Sequence, residues 1–167
     1  MSEIKYENKG FTLIELLVVV AIIGALAAVG VVAYNGYTSA AKRNAAISNF
    51  KQVSNYITNE VAKCTLGLET SVMNGKLDCS LQGRYEWMDD VIDATVAELG
   101  PKFKNPWDQN ASDSITGGGQ YWYDKDVGFV RIHSENPKYL HVIVCAQKPC
   151  GSPPHENIYE SFPVIDE

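Results

Sequence analysis

Between Glu15 and Lys42 the chain has no charged residue, and from residue 11 to residue 63 it has no proline. The first absence excludes a solvated surface segment over that stretch. The second removes the commonest cause of a broken helix. Histidine is scarce, at three residues, and no metalloprotease, nucleophile-elbow or P-loop pattern occurs. Gly117-Gly118-Gly119 is followed by no lysine-serine or lysine-threonine pair and reads as a flexible turn, not a phosphate cradle. His133 and His141 fall on predicted strands and His155 in the tail, so catalysis finds no support and no cofactor is expected. Basic residues are outnumbered, 14 against 20 acidic ones, for a net charge of −6. Such a chain is a poor generic binder of nucleic acid or anionic headgroups, and Lys42, Arg43 and Lys51 are too few for a basic patch.

What the chain does have is a run from Leu16 to Ala33 in which all 18 residues are apolar or glycine. As a helix it spans about 27 Å, close to the roughly 30 Å of a bilayer's hydrocarbon core. Only a helix satisfies its own backbone in lipid, so the run is predicted helical despite its β-branched content. Glu15 heads it. A carboxylate there is disfavoured, by up to about 3 kcal/mol at the bilayer centre and less at the edge, and implies a partner. Cleavage after Gly10 would create one by giving Phe11 a terminal amine. Within one helix that amine lies on the axis, so the amine of a neighbouring copy is the better match, and such a pair mainly enforces register.

Gly10 through Tyr37, GFTLIELLVVVAIIGALAAVGVVAYNGY, resembles the N-terminal signature of type IV pilins and the related pseudopilins of type II secretion. The resemblance covers 28 residues near the start of the chain. It implies cutting between Gly10 and Phe11 by a prepilin peptidase, methylation of the new amine, and pairing of Glu15 with Phe11 of the adjacent subunit during assembly. It also implies an inner-membrane protein with its head in the periplasm, extracted by inner-membrane assembly machinery into a surface filament of identical subunits and minor pilins. The family's proline two residues before the tyrosine is missing: Val32 precedes Tyr34, leaving Gly24 and Gly30 to supply any helix flexibility. An ordinary signal peptide cut after Ala25-Leu26-Ala27 would share the apolar core but has no need of Glu15 or of the glycine-phenylalanine pair.

Four cysteines, Cys64, Cys79, Cys145 and Cys150, permit three pairings, of which the sequential one is simplest. Disulfides put the chain beyond residue 40 in an oxidising compartment. Zinc is the rival, but Cys64 and Cys79 are too far apart for half of a four-cysteine site.

In order, residues 1–10 read as a charge-balanced leader and 11–63 as one helix. Its 11–36 part spans the membrane, and 37–63 is an amphipathic spine with Ala46, Phe50, Val53, Ile57, Val61 and Cys64 in one stripe. Residues 64–167 are the head. A glycine-punctuated loop covers 65–84, and Trp87–Leu99 is a second helix stopped by Gly100-Pro101. On that helix Asp89, Asp90, Asp93 and Glu98 are expected to lie away from the apolar face. A loop then runs through the triple glycine. Strands are predicted over 120–124, 127–133 and 139–146, followed by an irregular proline-bearing tail. The fold class is α+β, an α-helical spine with a C-terminal head on a small antiparallel sheet. The terminal cysteine loop matches the pilin pattern as well.

Asp108, Asp113, Asp124 and Asp126 cluster around the glycine-rich loop, where they would suit calcium or serve as exposed turn aspartates. Calcium would favour the pseudopilin and the paired C-terminal cysteines the pilin. A membrane-tethered binding domain that never polymerises is a third possibility. Tyr121-Trp122-Tyr123 reads as head core or surface.

Overall fold

The computed structural model describes residues 10–84, 86–112, 114–118, 123–136, 139–151 and 157–161. The chain divides into two compact units with the boundary between Ser39 and Ala40.

Helix α1, Leu13–Thr65, runs 53 residues without a break. With no proline to remove a donor, every turn can close on the one before it. From Leu16 to Ala33 it is apolar on all sides and every residue is exposed, Leu26, Val29 and Val32 among the large hydrophobic ones, as are Leu13 and Ile14 before it. This stretch is long and apolar enough to cross a membrane, and its most apolar 18 residues are all unburied.

The unit from Ala40 onward has its own core. Ala46, Phe50, Val53, Ile57, Val61 and Cys64 are the buried residues of α1, the stripe that the three-and-four spacing predicts. They join one apolar cluster with residues of helix α2, Trp87–Leu99, and of the sheet. Between the helices lies a two-stranded hairpin, β1 (Ser71–Val72) and β2 (Leu77–Asp78), where only a loop was expected. Its turn holds Met73 and Asn74 at φ of 55° and 59°. Asparagine tolerates that conformation, but methionine rarely adopts it. Met73 is held there because its side chain is fully buried and its N–H donates to a Glu60 carboxylate oxygen at 2.7 Å. α2 has the predicted bounds, and at its end a 3-10 turn over Gly100–Lys102 carries the chain out through Pro101.

The four-stranded sheet has the order β3-β4-β5-β6: Ile115–Gly117, Val130–Asn136, Tyr139–Cys145 and Ile158–Ser161. β4, β5 and β6 pair antiparallel, giving the α+β head expected. Two strands depart from the sequence reading. β3 lies in what reads as a glycine loop and pairs parallel to β4, Ile115 beside Val130. Gly117 permits this, since a methyl group there would meet the Ile92 side chain of α2 at 2.8 Å. β6 lies in the tail that reads as irregular. β4 starts at Val130, not 127, because Gly128 at φ +83° donates its N–H to the Cys145 carbonyl and Val127 turns into a second apolar cluster with Ile143 and Cys145. The strand predicted over 120–124 falls largely outside the described residues, and Asp124–Asp126 is a 3-10 turn.

On β5 the alternation separates two cores. Leu140, Val142 and Val144 join the main cluster, while Ile143 and Cys145 join the smaller one with Trp107, Cys150 and Ile158 packed around it. The cysteines pair sequentially, Cys64 with Cys79 and Cys145 with Cys150.

Candidate functional site

The first turn of α1 is built by Thr12 and Glu15. Thr12 precedes the helix, and its backbone N–H and hydroxyl both donate to Glu15 Oε2, at 2.8 and 2.7 Å. The Glu15 N–H returns a longer bond to the Thr12 hydroxyl at 3.4 Å. This is a capping box, in which the two residues satisfy each other's orphan donors where the helix dipole also favours negative charge. The sequence reading does not single out Thr12, although Thr-x-x-Glu before an apolar run is a legible signal for it. Both bonds to Thr12 end on Oε2, and a carboxylate has room for further donors on its other oxygen. Gly10 and Phe11 precede the helix and are exposed, Phe11 at 87%.

Behind Glu15 the helix offers Gly24, Ala25, Ala27, Ala28 and Gly30, and a methyl group on either glycine would meet nothing within 4 Å. An all-apolar helix with small residues along it can exchange lipid for other helices at close range. The residues beyond differ in kind. Lys42 lies 5.5 Å from the centre of the Trp107 ring, and Arg43 lies over Tyr159 and donates to its hydroxyl at 2.5 Å. These first cations after the apolar run are engaged by aromatic groups of the head.

A second polar centre, unseen in the sequence, surrounds Glu98. Expected on the wet face of α2, it is 6% exposed. Asn74 Nδ2 donates to it at 3.0 Å, Lys76 Nζ donates at 2.6 Å, and Lys102 one turn on also donates. The bonds from Lys102 and then Lys76 hold its carboxyl down at about 2. Nearby, burial first and then the charges of Glu60 and Glu98 push the Tyr56 hydroxyl up to about 12. These groups fasten the hairpin to both helices.

Of the aspartates suggested for calcium, Asp124 and Asp126 share one 3-10 turn, and each described one accepts a hydrogen bond within the chain. Asp126 accepts from Arg131 at 2.5 Å and from the Tyr123 N–H, Asp124 accepts from the Cys150 N–H at 2.8 Å, and Asp108 accepts from the Asn110 N–H at 3.0 Å. Asp113 lies outside the described residues. Among the described residues no three histidine, cysteine or acidic side chains come together to hold a metal ion. His133 and His141 stack across β4 and β5 with ring centres 4.6 Å apart, His141 facing Glu160 at 2.7 Å. His155, Tyr121 and Trp122 lie outside the described residues, and Tyr123 is exposed beside Lys125.

Comparison with known proteins gives a consistent likeness. The family model described as the prokaryotic N-terminal methylation motif matches residues 6–31. The type IV major fimbrial protein FimA of Dichelobacter nodosus is 36% identical over 102 residues, 59% of this chain and 62% of that protein. A fimbrial protein of Pseudomonas aeruginosa is 40% identical over 69 residues, 41% of this chain and 38% of its own length. The type IV major pilin protein PilE1 of Neisseria gonorrhoeae is 59% identical over 40 residues, 24% of each chain. The chain thus spans less than two thirds of the length of these relatives. No solved structure matches it.

Proposed function

We propose that this chain is a type IV pilin, a structural subunit and not an enzyme, which polymerises into a surface filament. The observation that carries the reading is the first half of α1: an apolar helix whose large hydrophobic side chains are exposed, headed by a capped carboxylate and matched by the methylation motif. Such a helix has two stable environments, lipid and other helices like itself. In this reading residues 1–10 are a leader removed by a prepilin peptidase, and Phe11 becomes the methylated terminus. Residues 11–36 anchor the subunit in the inner membrane with its head in the periplasm, 37–63 serve as the spine of the head, and 64–167 complete it. Assembly machinery then moves the helix from lipid to the filament core.

Cleavage after Gly10 leaves Thr12 in place, so the capping box survives it. Oε1 of Glu15 is then the oxygen that accepts from the Phe11 amine of the next subunit. The pair fixes register, because a one-residue slip leaves the amine and the carboxylate unmatched in an apolar core. Identical subunits, minor pilins and the machinery are the partners. The disulfides support an oxidising destination. The Cys145–Cys150 loop supports the pilin over a calcium-dependent pseudopilin.

The test is peptide mass spectrometry of sheared surface filaments, which must contain this chain beginning at a methylated Phe11. Filaments without the chain, or a terminus beyond Glu15, would overturn the reading. A Glu15→Ala chain is expected to reach the membrane in normal amounts and yield few or no filaments, counted by electron microscopy. Wild-type numbers of full-length filaments would remove the role given to Glu15.

A further inference from the structure

Asparagine is followed by glycine twice in the chain, at Asn35-Gly36 and Asn74-Gly75. The settings differ. Asn35 and Gly36 lie inside α1, whose peptide units are fixed by the helix. Asn74 and Gly75 are exposed in the turn of the β1–β2 hairpin, with φ of 59° and 78°, and a methyl group on Gly75 would meet no atom within 4 Å. Gly75 thus brings no side chain of its own beside its amide nitrogen, and the space where one would stand is open. What restrains the turn is the bond from the Gly75 N–H to the Val72 carbonyl, at 3.1 Å, and the bond from Asn74 Nδ2 to Glu98 Oε1.

We propose that Asn74 is a site of spontaneous deamidation, and that its contact with Glu98 makes the change irreversible in structure as well as in chemistry. When the turn opens, the Gly75 nitrogen attacks Cγ of Asn74. The new N–Cγ bond closes a five-membered imide, the Cγ–Nδ2 bond breaks, and Nδ2 leaves as ammonia with the proton given up by the Gly75 nitrogen. Water then opens the ring at either carbonyl, giving an aspartyl or an isoaspartyl residue, with no oxidant or reductant involved. The amide that donated to Glu98 has become a carboxylate that can only accept. It faces a second carboxylate, itself 6% exposed, whose oxygens already hold Lys76 and Lys102. A lost hydrogen bond is joined by like-charge repulsion, so the modified turn no longer closes on α2. The rate is set by local opening, because the flanking Val72, Met73 and Leu77 are buried. The inference is independent of the reading as a pilin.

The full-length chain in detergent is held in warm, mildly alkaline buffer, and its peptides are followed by mass spectrometry. The peptide carrying residue 74 is expected to gain the mass of an amide-to-acid conversion and to split into aspartyl and isoaspartyl forms, while Asn35 keeps its amide. An Asn74→Gln chain, whose imide would need a six-membered ring, should stay unchanged. The chemistry is refuted if Asn74 retains its amide while the urea-unfolded chain converts, or if it converts no faster than Asn35. The structural half is tested by making Asn74→Asp directly. Its urea midpoint should fall below that of the wild type, and it should recover when compared as Asn74→Asp with Glu98→Gln against Glu98→Gln alone, since a glutamine amide can donate to the new carboxylate. An Asn74→Asp chain as stable as the wild type, or the same loss in both backgrounds, would overturn it.

Discussion

Glu98 receives three donors from two directions, Lys102 from its own helix and Lys76 and Asn74 from the hairpin, while almost wholly out of water. The pairs hold its pKa at about 2 in the folded chain against 4.5 for an ordinary glutamate. A carboxylate depressed in this way contributes stability that is present above its unfolded pKa and is lost as pH falls through its folded one. The expected outcome is a urea midpoint that declines on acidification from about pH 4.5 toward pH 2, with a shallower decline in Glu98→Gln. Urea titrations at a series of pH values check this, and equal slopes for the two chains would exclude the pairing as the cause. Tyr56 acts at the other end of the scale. Its raised pKa of about 12 means that its contribution is intact below 10 and fades as pH climbs toward 12.

At the scale of elements, the spine of the head rests on one stripe. Ile57 is fully buried at its centre, between Val53 and Val61. Ile57→Ala is expected to destabilise the head by about 2–5 kcal/mol, as lost transfer energy and an unfilled cavity combine. Chemical unfolding followed by tryptophan fluorescence measures this, Trp87 lying in the same cluster. That stripe was legible in the sequence because three-and-four spacing survives whatever packs against it. The bounds of α2 were legible because its apolar spacing ends at the Gly100-Pro101 stop. β3 was not: three residues ending in glycine carry no alternation, and their place in the sheet depends on Gly117 leaving room for the Ile92 side chain of α2. β6 was hidden because its pairing to β5 is long-range and its prolines lie close by. Glu98 was misread since a charge among apolar helix positions reads as solvated, and its hairpin partners stand 22 and 24 residues away. At the N-terminus the reverse held. Glu15 drew attention as an anomaly, while Thr12, its immediate partner, did not.

For the molecule as a whole, the run from Leu16 to Ala33 is a continuous apolar surface, every residue of it exposed. Isolated apolar residues on a surface are ordinary, but a continuous patch of this extent demands a partner or a nonaqueous solvent. Removing detergent from the purified chain is therefore expected to drive it into large assemblies. Sedimentation velocity should show loss of the monomer while the far-ultraviolet signal of the folded head persists. A chain that stays monomeric in plain buffer would contradict an uncovered helix.

The head also has a particular order of construction. β6 lies against the spine through Arg43 with Tyr159 and through the hydroxyls of Ser54 and Ser161, contacts that reach across 116 and 107 residues of chain. Contacts so distant in sequence form slowly and late. A ribosome making this protein would thus deliver the spine long before the strand that seals it, and the head could not close until residues 158–161 had emerged. During that interval the stripe of α1 and the edge of β5 would both lie bare to any chaperone within reach.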